Sequence, residues 1–250
     1  MTPAAFKRSI RDLQVWCSSC MVAFSGSDPI GVLIGAKRPS GTLVHRIAVH
    51  PDHRRQGHGR HLLASLGSKL AILGPPRMVA EVPETFAPAC ELFSASGYVQ
   101  EARLTDYVLE AAALSGPALV EGFVIPVTVD DLAANGLLGE AHPPVCWTRA
   151  AETLIARKDD IAGFAVASDE RIEAYVLYAS HGAEGTEILS LRSFVEDGGA
   201  RLTLLRARLG MGTFRFPKVH PAEFSKELLE TLGFRPAGGH HLYATTARSE

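Results

Sequence analysis

The chain has 250 residues, enough for one large or two small domains, with 46% apolar and 21% charged residues. A formal net charge of −2 gives no electrostatic reason to expect nucleic acid or an anionic membrane as a partner. No apolar run reaches the roughly 18 residues of a membrane span, and the N-terminus lacks the apolar core of a signal peptide. These features predict a cytoplasmic protein.

The four cysteines fit a reducing compartment. Cys17 and Cys20 form a C-x-x-C pair, which invites a redox or zinc interpretation. A second ligand pair is missing, because Cys90 and Cys146 stand alone. Packing is therefore the favoured role for these thiols, and no metal site is predicted.

The first elements follow from hydrophobic periodicity. Apolar residues at helical spacing, from Phe6 to Cys17, predict an opening amphipathic helix. Two strands are predicted at Cys20–Phe24 and Pro29–Ala36, around a polar turn, and a third at Leu43–His50.

The stretch Val44–Arg60 carries the strongest functional signal. Its apolar strand is broken by Pro51 and followed by a basic, glycine-rich turn, Arg54–Arg60. A helix with leucines on one face then runs to Leu73. A strand, a basic turn and a helix start direct unpaired backbone N–H groups and the helix dipole at one point. The pattern predicts a phosphate-binding turn, most simply for a pyrophosphate.

The rest of the first half continues the alternation of strands and helices. A strand is predicted at Met78–Pro83, a short helix at Phe86–Ala95, and a strand at Arg103–Glu110 that closes the unit. Gly97 is placed as the C-cap of the short helix.

The second half repeats this order after a connection at residues 114–122. Leu92 and Tyr107 match Leu228 and Tyr243 at a shift of 136 residues, and Gly97 matches Gly233. A strand at Val124–Val129 and a helix at Asp130–Leu138 precede the repeated elements. We therefore predict domains at residues 1–113 and 123–250.

The turn excludes two common phosphate motifs. A P-loop would end in Gly-Lys-Ser/Thr, but this turn ends Gly59-Arg60-His61, and Leu62 stands where a dinucleotide fingerprint needs glycine. The remaining pattern, Arg-x-x-Gly-x-Gly from Arg54, resembles the acyl-CoA-binding motif of the GNAT superfamily of N-acetyltransferases. A glycine-rich turn in an unrelated α/β protein is the alternative.

The resemblance implies an α+β fold, an α/β sandwich of two GNAT-like domains, each a mixed, mostly antiparallel sheet flanked by helices. It implies acetyl-CoA as co-substrate, with the pantetheine along the central strand and the pyrophosphate on the turn amides. The expected cofactor-binding residues are Ile47, Ala48, Val49, Arg54, Arg55, Gln56, Gly57, His58, Gly59 and Arg60.

Two departures from the family pattern stand out. A GNAT domain usually begins with a further strand and helix, so either the start is truncated or that wall comes from elsewhere in the chain. At a shift of 136, the turn positions in the second copy read Ser190–Val195 and hold no glycine, while Glu196 and Asp197 flank Gly198-Gly199. Two carboxylates would repel a pyrophosphate, so we predict one acyl-CoA site and a degenerate second copy. A second, altered cofactor site is the alternative.

The family's usual general acid, a tyrosine in the last helix, falls on Phe93 in this chain, which has no proton to give. Tyr107, Ser94, a water or a residue of the second half could replace it, although Tyr107 also suits cross-strand packing.

His45 and Glu81 are the candidates for the general base. His45 titrates near neutrality and shares one face of an alternating strand with Ile47 and Val49. Glu81 lies on the next strand, where the two strands should diverge. A structural role is open for both.

The leading hypothesis is an N-acetyltransferase that acts on a primary amine of a small molecule or a peptide by direct attack. One alternative is a non-catalytic acyl-CoA-binding sensor or scaffold, motivated by Phe93 and the missing elements. Another is a transferase for a longer acyl or an aminoacyl group. The oligomeric state is left open.

Overall fold

A computed structural model of the chain describes residues 2–111, 123–138, 145–182 and 185–247. The chain divides into two compact units, unit 1 (Met1–Arg103 and Gly239–Glu250) and unit 2 (Leu104–Gly238). The predicted connection at residues 114–122 lies outside the described residues. None of the described helices is long and apolar enough to cross a membrane.

Unit 1 is a mixed sheet with helices α2 and α3 packed on one face. Its helices are α1 (Pro3–Asp12), α2 (His58–Leu73) and α3 (Ala87–Ala95). Its strands are β1 (Met21–Ser25), β2 (Asp28–Arg38), β3 (Gly41–Val49), β4 (Arg77–Pro83) and the main part of β11 (Arg235–Thr246), in the sheet order β1-β2-β3-β4-β11. The even-numbered residues of β4 and Phe93 of α3 share one core with four leucines of α2, which are Leu62, Leu63, Leu66 and Leu70. Leu73, the last residue of α2, is exposed and does not continue the predicted apolar face.

Unit 2 repeats this architecture with one more strand at its edge. Its strands are the main part of β5 (Val99–Ala111), β6 (Phe123–Val127), β7 (Ala162–Ala167), β8 (Ile172–Ser180), β9 (Thr186–Ser193) and β10 (Gly212–Val219), in the sheet order β5-β10-β9-β8-β7-β6. Its helices are α4 (Val129–Ala134), α5 (Ala151–Ala156), α6 (Ala200–Leu209) and α7 (Lys226–Thr231). The predicted fold class, mixed sheets flanked by helices, is confirmed.

The two units exchange their closing strands. β5 was expected to close the N-terminal sheet, but it pairs with β10 of unit 2, where Tyr107 lies opposite Phe216. β11 pairs with β4 of unit 1, where Tyr243 lies opposite Ala80. The two pairings have the same register at a shift of 136 residues. The prediction that Arg103–Glu110 closes the first unit is therefore wrong, because β5 pairs with β10 and β11 takes its place beside β4. The sequence could not distinguish the two strands, since both fit the same antiparallel ladder.

Candidate active site

The centre of unit 1 is an opening between two parallel strands. β3 and β4 pair at Thr42–Met78 and Leu43–Val79. Beyond these pairs, β3 continues along β2 as far as Val49, and β4 continues along β11 as far as Pro83. Two strands that each keep only their outer partner leave backbone groups between them for an extended ligand to pair with.

A β-bulge lies at the start of this opening. Ile34 of β2 pairs with Arg46 and Gly35 pairs with Val44, so His45 is an extra residue on β3. The bulge puts Val44 and Ile47 against the same core. The alternation predicted for this strand, with His45, Ile47 and Val49 on one face, would put Val44 on the opposite face from Ile47. That alternation is wrong at the bulge, because the extra residue shifts it by one.

The two predicted general bases occupy matching positions on the diverging strands. His45 lies two residues beyond the paired Leu43, and Glu81 lies two residues beyond the paired Val79. Both side chains are half-buried. On β4, Met78, Ala80 and Val82 belong to the core, so Glu81 points to the opposite face of the sheet.

The predicted phosphate turn connects β3 to α2. Pro51–His53 form a short 3-10 turn, and Gly57 is the N-cap of α2 with a left-handed backbone, φ +88°. The first intrahelical bond runs from the His61 N–H to the Gly57 carbonyl at 3.0 Å. The preceding backbone N–H groups of α2 belong to the first turn, which has no acidic residue to pair with them. A helix start of this kind favours an anion.

A cleft of about 540 Å³ lies over this turn. Nine of the ten predicted cofactor-binding residues line it, and the tenth, Gln56, instead donates from its side chain to the Asp52 carbonyl at 3.2 Å. The predicted set of binding residues did not include His53, although its place beside the basic turn was a signal. Sequence reasoning missed the α3 wall, although the predicted short helix following β4 was a signal for it. The missed residues of this wall are Phe86, Pro88, Ala89, Glu91, Leu92 and Ala95.

The charges of the cleft are mainly positive. Arg54 folds back so that Nε donates to the Val49 carbonyl at 3.1 Å, which ties the turn to the end of β3. Arg55 has a left-handed backbone, φ +61°, and pairs with Glu91 of α3 at 3.3 Å. Both partners of this ion pair are exposed, so it holds Arg55 only weakly and leaves it available to an anionic ligand.

The two glycines of the turn do different things. A Cβ on Gly57 would meet nothing within 4 Å, so glycine is needed there for the left-handed backbone and leaves the space above it open. A Cβ on Gly59 would lie 3.2 Å from the Leu92 side chain. Gly59 therefore allows α2 and α3 to pack closely. Of the two glycines, only Gly57 fits the expected role of leaving the backbone accessible to a phosphate.

A bidentate ion pair lies just beyond β4. Arg103 donates from Nε to Glu84 Oε2 at 2.7 Å and from Nη2 to Oε1 at 2.9 Å. A Cβ on Gly239 would lie 2.7 Å from Glu84 Oε2, so the pair closes against bare backbone of β11. The hydrogen bonds from Arg103 are the largest cause that lowers the pKa of Glu84, and His241 and His240 add to it. Glu84 is thus kept as an anion near the end of the opening.

The third predicted catalytic residue lies elsewhere. Tyr107 is buried in the core of unit 2, opposite Phe216, while the opening and the cleft belong to unit 1. Phe93 is buried in the core of unit 1 and stacks on Tyr243, with ring centroids 5.9 Å apart and an interplanar angle of 17°. The strand exchange therefore puts Tyr243 where Tyr107 was expected.

Unit 2 has the same framework. β9 and β10 pair in parallel at Phe214–Thr186 and Arg215–Glu187, and Leu189 is the extra residue of a bulge that matches His45. Gly199 is the N-cap of α6 with φ +89°, so it corresponds to Gly57 at a shift of 142 residues. The predicted match at a shift of 136, to Ser190–Val195, is wrong because the loop lengths differ and most of that stretch belongs to β9.

The helix start of unit 2 is occupied by the chain's own carboxylate. Asp197, which corresponds to Arg55, accepts from the Gly199 N–H at 3.0 Å and from the Arg201 N–H at 2.9 Å. Burial alone would raise the pKa of Asp197, but the hydrogen bonds from Arg201 and Gly199 lower it. An anionic carboxylate thus takes the position that a phosphate would need.

The region beyond the paired part of β9 and β10 is also filled. Arg149 is buried against the Phe216 ring, with Cζ 4.6 Å from its centroid, and donates to the Lys218 carbonyl at 3.2 Å. It forms an ion pair with Glu223, and the side chains are 1% and 8% exposed. In unit 2 the side chains of Arg149 and Glu223 therefore fill the region that corresponds to the opening between β3 and β4 in unit 1.

Residues 16–100 match the family model described as "Acetyltransferase (GNAT) domain". This segment of the chain is a GNAT acetyltransferase domain. The match covers β1 to β4 and α2 and α3, and so includes the diverging strands and the glycine-rich turn of the GNAT domain. No curated protein matches the chain by sequence.

Solved structures share the fold over nearly the whole chain. A GCN5-related N-acetyltransferase from Sphaerobacter thermophilus is 15% identical, with a TM-score of 0.63, and 92% of this chain and 81% of that one are covered. A tandem GNAT protein from the clavulanic acid biosynthesis pathway is 18% identical, with a TM-score of 0.62, and 96% and 87% are covered. These likenesses show that the fold of the whole chain is shared with GNAT proteins.

Proposed function

We propose that this chain is an N-acetyltransferase that transfers the acetyl group of acetyl-CoA to a primary amine of a small molecule or a peptide. The observation that carries the proposal is the cleft over Gly57, where a basic turn and a helix start without acidic residues adjoin the diverging strands of a GNAT domain. In this proposal the first predicted domain, residues 1–113, holds the cofactor, and the second, residues 123–250, is a degenerate copy.

The residues of the cleft fit the two chemically different parts of this co-substrate. The turn amides and Arg54, Arg55 and Arg60 would hold the pyrophosphate, because cationic donors and a helix start both favour phosphate oxygens. Backbone groups of Ile47–Val49 that face the opening would pair with the pantetheine amides like an added strand. Acetyl-CoA supplies the activated acyl group when bound.

His45 and Glu81 are proposed to prepare the amine. An ammonium group cannot attack a carbonyl, so a base at the opening has to take its proton. The matching positions of His45 and Glu81 on the two diverging strands support this role.

The phosphate turn is tested by Gly57→Glu. The variant adds bulk and negative charge at the open face of the turn, and we expect loss of coenzyme A binding in titration calorimetry. The left-handed backbone makes any side chain strained there by about 1 kcal/mol. Gly198→Glu is the matched control, because Gly198 has φ +64° and open space above it but lies in unit 2. Unchanged affinity in Gly57→Glu would overturn the assignment of the turn.

A non-catalytic acyl-CoA-binding module is the second candidate, favoured by Phe93 and by the location of Tyr107 in unit 2. Thiol release from acetyl-CoA over a panel of amines separates the candidates. Turnover with acetyl-CoA supports the acetyltransferase, binding without turnover supports the module, and turnover only with longer acyl or aminoacyl donors supports a different donor class.

A further inference from the structure

Unit 1 contains two tyrosines, and both pack against Phe93. Tyr98 meets Phe93 edge-on, with ring centroids 5.1 Å apart, and Tyr243 stacks on it at 5.9 Å. The hydroxyl of Tyr98 contacts Met78 Sδ at 3.8 Å, and burial raises the pKa of Tyr98 above its ordinary value. Tyr98 is therefore a poor proton donor and serves the core.

Tyr243 lies where the opening begins. It pairs with Ala80 of β4, one residue beyond Val79, the last residue of β4 that pairs with β3. It shares the core face with Ala80 and Val82 and with the helices α2 and α3. His241, two residues away on the same strand, packs edge-on against Tyr243 at 5.9 Å.

The hydroxyl of Tyr243 is available although its ring is buried. The residue is 5% exposed. Within the described part of the chain the hydroxyl makes no hydrogen bond, and it is not one of the fully enclosed unpaired polar atoms. A phenol hydroxyl that is in contact with solvent and forms no hydrogen bond with the protein can donate one to a ligand.

We propose that Tyr243 is the proton donor to the departing sulfur, supplied to the N-terminal site by the C-terminal strand. This rests on the proposed function. As the C–N bond forms and the C–S bond breaks, the electron pair of the C–S bond goes to sulfur and the Tyr243 hydroxyl gives it a proton. The base at the opening takes the proton from the amine, and water returns a proton to the phenolate.

The test is a set of three variants assayed by thiol release with the most reactive amine of the panel, or with water if no amine reacts. Tyr243→Phe should lower kcat by about 100-fold with KM for acetyl-CoA little changed, since only a transition-state contact is lost. Tyr98→Phe is the matched control and should retain activity. In the double variant Tyr243→Phe with Phe93→Tyr, the substitution at residue 93 supplies a hydroxyl on the ring that stacks against residue 243. We expect this variant to regain much of the lost activity.

A second readout does not use turnover. The thiolate absorbance of bound coenzyme A, followed against pH, should show a higher thiol pKa in Tyr243→Phe than in the wild type, because a donor to sulfur favours the thiolate. Wild-type turnover with unchanged kcat and thiol pKa in Tyr243→Phe would overturn this inference alone. Binding without any wild-type thiol release would overturn the proposed function with it.

Discussion

At Gly57 and Gly199 the backbone adopts the same left-handed N-cap conformation, yet the residues around the two glycines have opposite charge. Arg55 precedes Gly57 by two residues, and Asp197 precedes Gly199 by two. One helix start is therefore left for an external anion, and the other is satisfied internally. Two reversals of charge, from Arg54 to Glu196 and from Arg55 to Asp197, separate the candidate binding turn from the sealed one.

Arg149 is the residue on which the closure of unit 2 depends most. Removing it by Arg149→Ala would leave the Glu223 carboxylate buried without its charged partner, and we expect the free energy of unfolding to fall by about 3–5 kcal/mol in urea titration. The double variant Arg149→Met with Glu223→Leu should recover most of this loss. A loss below about 1 kcal/mol in the single variant would show that the pair is solvated rather than buried.

The elements of the two units correspond one to one from β1 and β7 onward. Each unit has a two-residue parallel ladder, a bulge at the same place and an N-cap glycine. The bulge is the device that starts the opening, because an extra residue increases the local twist and lets the strand leave its neighbour. β6 is the additional strand, which covers the edge of β7 in unit 2.

The start of α6 gives a pH-dependent prediction. Asp197→Ala should lower the free energy of unfolding by about 1 kcal/mol at pH 7, because two backbone N–H groups lose their acceptor. The pKa of Asp197 is lowered in the folded chain, so its contribution is present above the ordinary value of 3.8 and is lost as the pH falls through the folded value. Chemical denaturation between pH 7 and pH 3 should therefore show the difference shrinking on acidification.

Asp169→Ala is the control for this experiment, since Asp169 is exposed in the turn between β7 and β8. It should change the free energy of unfolding little at any of these pH values. A constant difference between the wild type and Asp197→Ala across the range would contradict the capping role.

For the whole molecule, the difference between the open helix start of unit 1 and the occupied one of unit 2 predicts how many coenzyme A molecules bind per chain. We expect one coenzyme A per chain in titration calorimetry, because Asp197 and Arg149 occupy in unit 2 the positions that unit 1 leaves open. Gly57→Glu should reduce this number to zero. A stoichiometry of two would mean that the side chains of unit 2 move aside for a ligand.

The amino-acid sequence by itself determined the features that depend on neighbours along the chain. The period of apolar residues predicted most of the described strands and helices within a few residues, and the order of Pro51, Arg54, Gly57 and Gly59 located the turn of the GNAT domain. These are local signals, because propensity, turn chemistry and helix starts act over one or two turns of chain.

Only the tertiary structure decided which strand closes which sheet. β5 and β11 carry matching patterns, including Tyr107 and Tyr243, and either could complete either ladder in the same register. Strand pairing is set by contacts far apart in the chain, so one sequence pattern fits both partners. For the same reason, only the fold revealed three further features, which are the bulge at His45, the carboxylate of Asp197 at the start of α6 and the stacking of Tyr243 on Phe93.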